Sequence, residues 1–421
     1  MASVLLLLID ATLAAAAPSA LPETIVYDPT VAAIIAQVTT PTLSHELAGL
    51  TGERLVSVGG ISYTIATRNS FQATPIARAT RYAREQLART GLDVTYHHYD
   101  YSTHSLRNVV AEKPGLVDPD QIYMITAHID DMPEGTLAPG ADDNGSGSVA
   151  VLMAARLLAP YSFSYTIRFV LFTGEEQGLR GSDAYADDCY AAGDDIRGVV
   201  NLDMIAYNST AKPAPIIDLC AYEGVPDSLV LTRIFSDVIG VYDLDLIPER
   251  KTDDPFPIRY SDQWRFLENG DPAILAIEDW DDHTPHYHRT TDRLVTLDLD
   301  YYAASTQASI ATIAHLAGLL PHGTLAGIVT AQEDGQPLAD ITVYALTPEY
   351  AHTFTTRSAG GGAYALPLPA DGVSVTTWAA SPGYYAATPT DVWLTAGSVV
   401  TQDYALAHWP RFYLPLIVHD P

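Results

Sequence analysis

The chain has 421 residues, of which 48% are hydrophobic and 17% charged, and its formal net charge at pH 7 is −29. This length predicts two or three domains, and the apolar content is that of a packed globular protein rather than a disordered one. The net negative charge argues against nucleic acid as a partner, because phosphate binding requires clustered lysine and arginine.

The N-terminus contains an apolar stretch that begins at Val4 and ends in alanine-rich residues up to Ala20. This pattern is typical of a secretory signal, although no basic residue precedes it and Asp10 interrupts it. We therefore expect residues 1–20 to be a signal peptide and the protein to be secreted or held at the cell surface. The stretch is too short and broken to span a membrane, and the sequence offers no other candidate of spanning length.

Strand and helix patterns alternate through the middle of the chain. In chain order, the predicted elements are a helix at 75–87, strands at 92–99, 107–111 and 122–127, a helix at 148–159, strands at 166–172 and 198–205, a helix at 227–239, a strand at 273–277 and a helix at 301–320. The strand at 122–127 is almost entirely apolar, which indicates burial on both faces. The alternation predicts an α/β domain with a mostly parallel central sheet flanked by helices.

Helical spacing disappears after residue 321. Short alternating runs separated by Gly, Pro and Asp predict a small all-β sandwich at 324–406. The remaining boundaries are a segment or propeptide at 21–62, the α/β domain at 63–321, and a tail at 407–421 that is either an edge strand or an attachment signal. Cys189 and Cys220 are the only cysteines, and the sequence leaves open whether they pair or stay as thiols.

Acidic residues and histidines cluster just after the predicted strands of the α/β domain. They are His128, Asp130, Asp142, Asp143, Glu175, Glu176, Asp203 and His288. Each has an ordinary structural explanation when taken alone, such as capping the helix that follows or bonding loop amides. The set is harder to explain by packing, because unpaired buried carboxylates are unfavourable. Histidines with carboxylates at one sheet edge are instead typical of a zinc site.

Five motifs in this region carry a resemblance to a known family. They are AHID at 127–130, PGADDNGSG at 139–147, FTGEEQGLRGS at 172–182, NLDM at 201–204 and PHYH at 285–288, with Asp292 four residues after His288. In order and spacing the chain from about Thr67 to Leu320 resembles the M28 family of zinc aminopeptidases. The resemblance implies two zinc ions per chain and peptide or protein N-termini as substrates.

The resemblance also implies roles for single residues. Asp143 would bridge the two zinc ions, with Asp142 as the fallback. His128 and Asp203 would complete one zinc site, and Glu176 and His288 the other, with His286 as the fallback for His288. Glu175 corresponds to the family's catalytic base, and Asp130 to the partner that orients the histidine two residues before it.

One motif departs from the family's pattern. In the segment that contains Asp262, Gln263 stands where many relatives have histidine. Because that position belongs to the substrate side in the family, the departure bears on specificity rather than on metal binding.

The C-terminal segment is similar to carboxypeptidase regulatory-like domains, on the runs LAGIV at 325–329, GQPL at 335–338, GGGAY at 360–364 and PGY at 382–384. It carries no evident catalytic constellation. Three alternatives to an aminopeptidase stay open from the sequence. They are a glutaminyl cyclase-like enzyme that uses a single zinc, a carboxypeptidase or dipeptidase of the same family, and a binding module without catalysis.

Overall fold

The computed structural model describes residues 21–132, 137–209, 214–252 and 255–409. The predicted signal peptide and residues 410–421 of the predicted tail lie outside the described residues. Within the described ranges, none of the helices combines the length and the apolar composition that crossing a bilayer requires.

The helices and strands that the apolar patterns predict are all present, and further elements lie among them. The helices are α1 (Pro29–Ile35), α2 (Thr40–Leu50), α3 (Ala73–Ala88), α4 (Gly147–Leu158), α5 (Arg180–Ala192), α6 (Pro226–Val241), α7 (Pro255–Ile258), α8 (Gln263–Asn269) and α9 (Leu299–Leu316). The strands of the first domain are β1 (Val56–Val58), β2 (Ile61–Tyr63), β3 (Asp93–Tyr101), β4 (His104–Lys113), β5 (Asp118–His128), β6 (Tyr165–Phe172), β7 (Asp195–Leu202), β8 (Ile216–Cys220), β9 (Ile247–Lys251) and β10 (Ala273–Glu278).

An eight-stranded sheet in the order β3-β4-β6-β5-β7-β10-β8-β9 forms the centre of the first domain. Its four middle strands, β6, β5, β7 and β10, run parallel, while β4 and β8 pair with them antiparallel. The middle strands are mostly buried along their length because helices cover both faces of the sheet. The predicted α/β class is confirmed, with a parallel centre inside a mixed sheet.

Two elements end three or more residues earlier than the sequence predicts. The strand predicted at 198–205 ends at Leu202 as β7, because the chain turns there and Met204 adopts a positive φ of 54°. The helix predicted at 301–320 ends at Leu316, shortly before Gly318, whose φ of 64° is outside the helical range.

The N-terminal helices belong to the core of the first domain. Val31, Leu43 and Leu47 are fully buried or nearly so, and they lie in one apolar cluster with residues of α4 and α9. Such a cluster removes large apolar side chains from water, which is the main favourable term in folding. The segment predicted as 21–62 therefore packs as part of the same unit as the central sheet.

The second domain is a sandwich of two sheets. Its strands are β11 (His322–Ala331), β12 (Thr342–Thr347), β13 (His352–Arg357), β14 (Ala363–Pro369), β15 (Val373–Ala380), β16 (Thr390–Leu394), β17 (Val399–Thr401) and β18 (Tyr404–Leu406). One sheet has the order β14-β11-β17 with β18 also on β11, and the other has the order β13-β12-β15-β16. Alternate residues such as Val343 and Ala345 point into the shared core, as the period-two pattern predicts.

The two cysteines are both buried and do not form a disulfide with each other. Cys189 lies on α5 and Cys220 at the end of β8, so the alternative of two thiols holds.

Candidate metal centre

Three neighbouring parallel strands bring most of the predicted site to one edge of the sheet. His128 is the last residue of β5, Asp203 follows β7 directly, and Glu175 and Glu176 follow β6 after a short turn. Because β6, β5 and β7 are adjacent and parallel, their carboxyl ends meet at the same edge. Residues far apart in the sequence therefore face one another across a small space.

The side chains form two groups that share Asp143. In the first group, Nε2 of His128 lies 3.2 Å from Oδ1 of Asp203 and 3.4 Å from Oδ1 of Asp143. In the second group, Nε2 of His288 lies 2.9 Å from Oε2 of Glu176 and 3.3 Å from Oδ2 of Asp143. Asp143 thus presents one carboxylate oxygen to each histidine.

Asp142, the fallback for this bridging position, faces away from the histidines. Its Oδ1 accepts a hydrogen bond of 2.9 Å from the backbone amide of Ala206, and its side chain is fully buried. The turn that contains both acids, residues 141–146, has non-helical backbone angles at Asp143 and Asn144 and a cis peptide bond between these two residues.

Asp292 holds the backbone of the same turn. Its Oδ1 accepts a hydrogen bond of 2.9 Å from the amide of Asp142, and its Oδ2 accepts one of 3.0 Å from the amide of Asp143. Burial raises the pKa of Asp292 to about 7, an effect that Asp142 adds to and these amide donors oppose. Asp292 therefore fixes the direction in which the carboxylate of Asp143 points.

The electrostatics of the site are those of crowded, buried carboxylates. Burial raises the pKa of Glu176 to about 8, and burial with the nearby Glu176 raises the pKa of Asp143 well above its usual range. Burial alone would lower the pKa of His128, but the carboxylates of Asp203 and Glu175 raise it well above its usual value. A cation among these groups would favour their ionised forms and reverse these carboxyl shifts.

Asp130 contacts His128 through its main chain more closely than through its carboxylate. The carbonyl oxygen of Asp130 lies 3.1 Å from Nδ1 of His128, whereas its Oδ1 lies 3.8 Å away. The carboxylate instead accepts a hydrogen bond of 2.8 Å from the hydroxyl of Ser70. Nδ1 of His128 therefore contacts the main chain of Asp130. Nε2, on the other side of the ring, faces the carboxylates of Asp143 and Asp203.

Glu175 and Glu176 are adjacent in sequence but face different parts of the site. The carboxylate of Glu176 contacts His288, while Glu175 lines an open cavity. Burial raises the pKa of Glu175 well above its usual range, an effect that His128 opposes. Glu175 is therefore positioned toward whatever enters the cavity.

The cavity has an empty volume of about 360 Å³, including the part open to solvent. Its polar side is the cluster of histidines and carboxylates. Its other walls consist of Ser261 and of apolar or aromatic residues, which are Met204, Pro257, Tyr260, Leu275, Ile277, Trp280 and Tyr287. Tyr287 connects the two sides, since its ring stacks on that of His288 with centroids 3.8 Å apart.

The two residues assigned to the substrate side, Asp262 and Gln263, do not line this cavity. Both are fully buried, and the amide of Gln263 donates a hydrogen bond of 2.6 Å to the carbonyl oxygen of Ile258. Burial raises the pKa of Asp262 to about 7. The residue of this segment that does line the cavity is Ser261. The assignment of Asp262 and Gln263 to the substrate side stays a prediction.

Ser261 also reaches the candidate ligands. Its hydroxyl donates a hydrogen bond of 2.6 Å to Oδ2 of Asp203, and it accepts one of 2.9 Å from the side-chain amide of Asn201. This chain of hydrogen bonds leaves Oδ1 of Asp203 facing His128. The sequence prediction assigns no role to Ser261. Its position directly before Asp262 and Gln263, which that prediction places on the substrate side, could have indicated one.

The two other histidines near His288 lie apart from the cluster. Nδ1 of His286 lies 2.9 Å from the hydroxyl of Thr291, and Nδ1 of His283 lies 3.0 Å from the carbonyl oxygen of Trp280. Both side chains are hydrogen-bonded at the surface, so the geometry favours His288 over the fallback His286.

The donor set fits metal ions. His128, Asp143 and Asp203 offer ligand atoms that all lie within 4.8 Å of one another, and so do Asp143, Glu176 and His288. One carboxylate oxygen of Glu176 is buried without a hydrogen-bond partner, which is unfavourable unless a cation or water contacts it. Nitrogen and oxygen donors of this mixture are those that zinc accepts.

Comparisons with known proteins find similar sequences for both domains. The family described as "Peptidase family M28" matches residues 108–313, and the "Carboxypeptidase regulatory-like domain" matches residues 324–407. Leucine aminopeptidase 1 of Trichophyton rubrum is 28% identical over 324 residues, covering 73% of this chain and 82% of that protein. The probable leucine aminopeptidase 2 of Aspergillus oryzae is 30% identical over 227 residues, covering 49% of this chain and 44% of that protein.

A solved structure shares the fold. The LapA aminopeptidase of Legionella pneumophila superposes with a TM-score of 0.56 at 20% identity, covering 70% of this chain and 78% of that one. The chain spans about half the length of several curated relatives that it matches, with shares of 52%, 44% and 61%.

Proposed function

We propose that this chain, which belongs to peptidase family M28 through residues 108–313, is a zinc aminopeptidase that removes N-terminal residues from peptides. The observation that carries the proposal is the position of Asp143 between two histidines, with one carboxylate oxygen 3.4 Å from His128 and the other 3.3 Å from His288. A carboxylate shared in this way supports two metal ions rather than one.

Five side chains would hold the two zinc ions. His128 and Asp203 would complete one site, Glu176 and His288 would complete the other, and Asp143 would contribute to both. Bound zinc would supply the activation of a water molecule and the polarisation of the scissile carbonyl. The fixed hydrogen bonds of Asp292 to the Asp143 turn, and of Ser261 to Asp203, would keep these ligands in place during turnover.

Glu175 would move the proton. Its carboxylate lines the cavity and is not part of either ligand group, so it is available to the reacting atoms. It would take the proton of the attacking water and deliver it to the nitrogen of the departing amine. Its partly enclosed position limits competition from bulk water for that proton.

The cavity suits the end of a peptide better than its middle. The cluster of carboxylates at its floor would attract a free N-terminal ammonium group, and the walls formed by Leu275, Ile277 and Trp280 would bury an apolar side chain. We therefore expect the preferred N-terminal residues to be large and apolar, in keeping with the relatives named leucine aminopeptidases.

The test is a turnover assay on the purified full chain. Leucine 4-nitroanilide and its N-acetylated form would be compared, each with and without a chelator. The proposal expects release of nitroaniline only from the substrate with a free amine and only without chelator. Equal cleavage of the acetylated substrate would contradict an aminopeptidase, and cyclisation of an N-terminal glutamine peptide without hydrolysis would assign the protein to the cyclase alternative.

A further inference from the structure

Arg68 is the largest fully buried side chain of the described residues, and its main partners are backbone carbonyls. Its Nε donates a hydrogen bond of 2.7 Å to the carbonyl oxygen of Ile129, and its Nη1 donates one of 2.6 Å to that of Pro139. Its Nη2 donates one of 2.8 Å to the carbonyl oxygen of Gly140. A buried guanidinium is stable only when its donors are paired, and here backbone oxygens pair most of them.

These carbonyls flank the two loops that carry candidate zinc ligands. Ile129 follows His128 directly, while Pro139 and Gly140 precede the turn that contains Asp143. Gly140 lies directly before this turn, its φ is 43°, and an added Cβ there would lie 2.7 Å from Nη2 of Arg68. The planar fork of one arginine thus sets the distance between the two loops.

Arg68 also ties the site to the N-terminal helices and to a charge. Its Nη1 donates a second hydrogen bond of 3.2 Å to the carbonyl oxygen of Leu50, the last residue of α2. Its Nη2 lies 3.6 Å from Oδ2 of Asp131, which is also buried. The fixed positive charge therefore lies beside the buried carboxylate of Asp131.

Ser70, two residues further along, reaches the third loop. Its hydroxyl donates to Oδ2 of Asp130 at 2.8 Å and accepts a hydrogen bond of 3.0 Å from the backbone amide of Gly174. Gly174 immediately precedes Glu175, the proposed proton carrier. The carbonyl oxygen of Ala66 also accepts a hydrogen bond of 3.2 Å from the backbone amide of Ala138. Residues 66–70 thus contact the loops of His128, of Asp143 and of Glu175, and we call them the 66–70 strap.

We propose that the 66–70 strap sets the spacing of three of the loops that carry the site, namely those of His128, of Asp143 and of Glu175 with Glu176, with Arg68 and Ser70 as its positioning residues. Neither side chain lines the cavity, so both act through the loops they bind. This inference rests on the proposed function for its catalytic readout, but its prediction about zinc affinity is independent of turnover.

The experiment compares Arg68→Lys, Ser70→Ala and the control Arg168→Lys in the full chain. Arg168 is a partly buried arginine that pairs with Glu112 and Asp194 on the central sheet, away from the candidate ligands. Zinc affinity would be measured by competition with a chromophoric chelator after the metal has been stripped, and folding would be followed by circular dichroism. The steady-state constants for leucine 4-nitroanilide would be measured at saturating zinc.

The expected result for Arg68→Lys is zinc affinity about 10-fold to 100-fold weaker, because lysine keeps the charge but lacks the fork that spans both loops. At saturating zinc we expect kcat to fall about tenfold or more, while KM changes by less than about threefold, since Arg68 does not touch substrate. Arg168→Lys should leave zinc affinity unchanged.

A folded Arg68→Lys protein with wild-type zinc affinity and kcat would overturn the proposal. If Arg68→Lys does not fold, Ser70→Ala decides: a loss of about tenfold in zinc affinity supports the strap, and no loss overturns it. If the wild-type chain binds zinc without turnover, the proposed function fails, and the zinc affinities alone then decide on the strap.

Discussion

The backbone amide of Asp143 donates a hydrogen bond of 3.0 Å to Oδ2 of Asp292, a residue 149 positions further along the chain. This contact joins the turn that carries the shared carboxylate to the loop that carries His288. The two candidate zinc sites are therefore connected through the backbone as well as through the side chain of Asp143.

Replacing Asp292 should weaken metal binding without removing a ligand. Asp292→Asn keeps the volume of the side chain but replaces one of its two accepting oxygens by an NH₂ group, which cannot accept a hydrogen bond, and it removes the negative charge that faces the amides of Asp142 and Asp143. We expect zinc affinity to fall about 10-fold, as is usual for residues that orient metal ligands. A competition titration with a chromophoric chelator measures this, and an affinity equal to that of the wild type would contradict the role of Asp292.

Glu175→Gln should separate metal binding from turnover. The substitution keeps the shape of the side chain but removes its ability to take a proton, so we expect kcat to fall about 10²-fold to 10⁴-fold with the zinc content unchanged. Glu268→Gln, at an exposed position of α8, is the matched control and should leave kcat unaltered. Loss of zinc in Glu175→Gln would instead make this residue a ligand.

Trp280 should contribute to selectivity through the apolar wall of the cavity. Its ring packs edge-on against Tyr287 at 6.1 Å, so its removal would widen the cavity next to His288. For Trp280→Ala we expect kcat/KM for leucine and phenylalanine amides to fall about tenfold, with a smaller change for the alanine amide. Trp393→Ala, at an exposed tryptophan of the second domain, is the control. Equal losses for all three amides would show that Trp280 does not select among side chains.

His322 should make stability depend on pH at the junction of the two domains. Its Nε2 accepts a hydrogen bond of 2.8 Å from the amide of Ser162, and burial lowers its pKa to about 4. The unfolded chain, with a histidine pKa near 6.5, therefore binds more protons than the folded chain between about pH 6.5 and pH 4. Folding stability from this residue is present above that range and is lost as the pH falls through it.

The measurement is urea unfolding at pH 7 and pH 5 of the wild type and of His322→Gln, which can still accept the Ser162 amide. We expect the decrease in unfolding free energy between the two pH values to be about 2 kcal/mol larger for the wild type. The comparison cancels the other titrating groups that the two proteins share. Identical pH dependence would mean that His322 is not neutral in the folded protein.

The elements with strong apolar patterns were predictable, and the weaker ones were not. The strand at 122–127 and the helix at 148–159 correspond to β5 and α4 because burial on all sides leaves few polar residues in them. Strand β9 was missed, since it is a mostly solvent-exposed edge strand with the polar sequence IPERK. Its pairing with β8 depends on tertiary contacts that no local pattern records.

The candidate ligands could be anticipated because each follows a recognisable strand or motif, and the structure brings all five into the two groups around Asp143. Arg68 gave no such signal. Its partners are backbone carbonyls as far as 72 positions away. Every residue carries a backbone carbonyl, so the residue types at those positions do not indicate which of them bind Arg68. For Gln263 the motif predicts a place on the substrate side, but a motif does not fix the direction of a side chain, and the side-chain amide of Gln263 donates to the carbonyl oxygen of Ile258.

The central claim is that this chain holds two zinc ions joined by Asp143, and zinc content per chain tests it most directly. Wild type and His288→Ala would be dialysed against buffered zinc and their metal content measured by mass spectrometry. The account predicts two zinc ions for the wild type and one for His288→Ala, because the site of His128 and Asp203 keeps its own ligands. One zinc ion in the wild type, or two in His288→Ala, would contradict it.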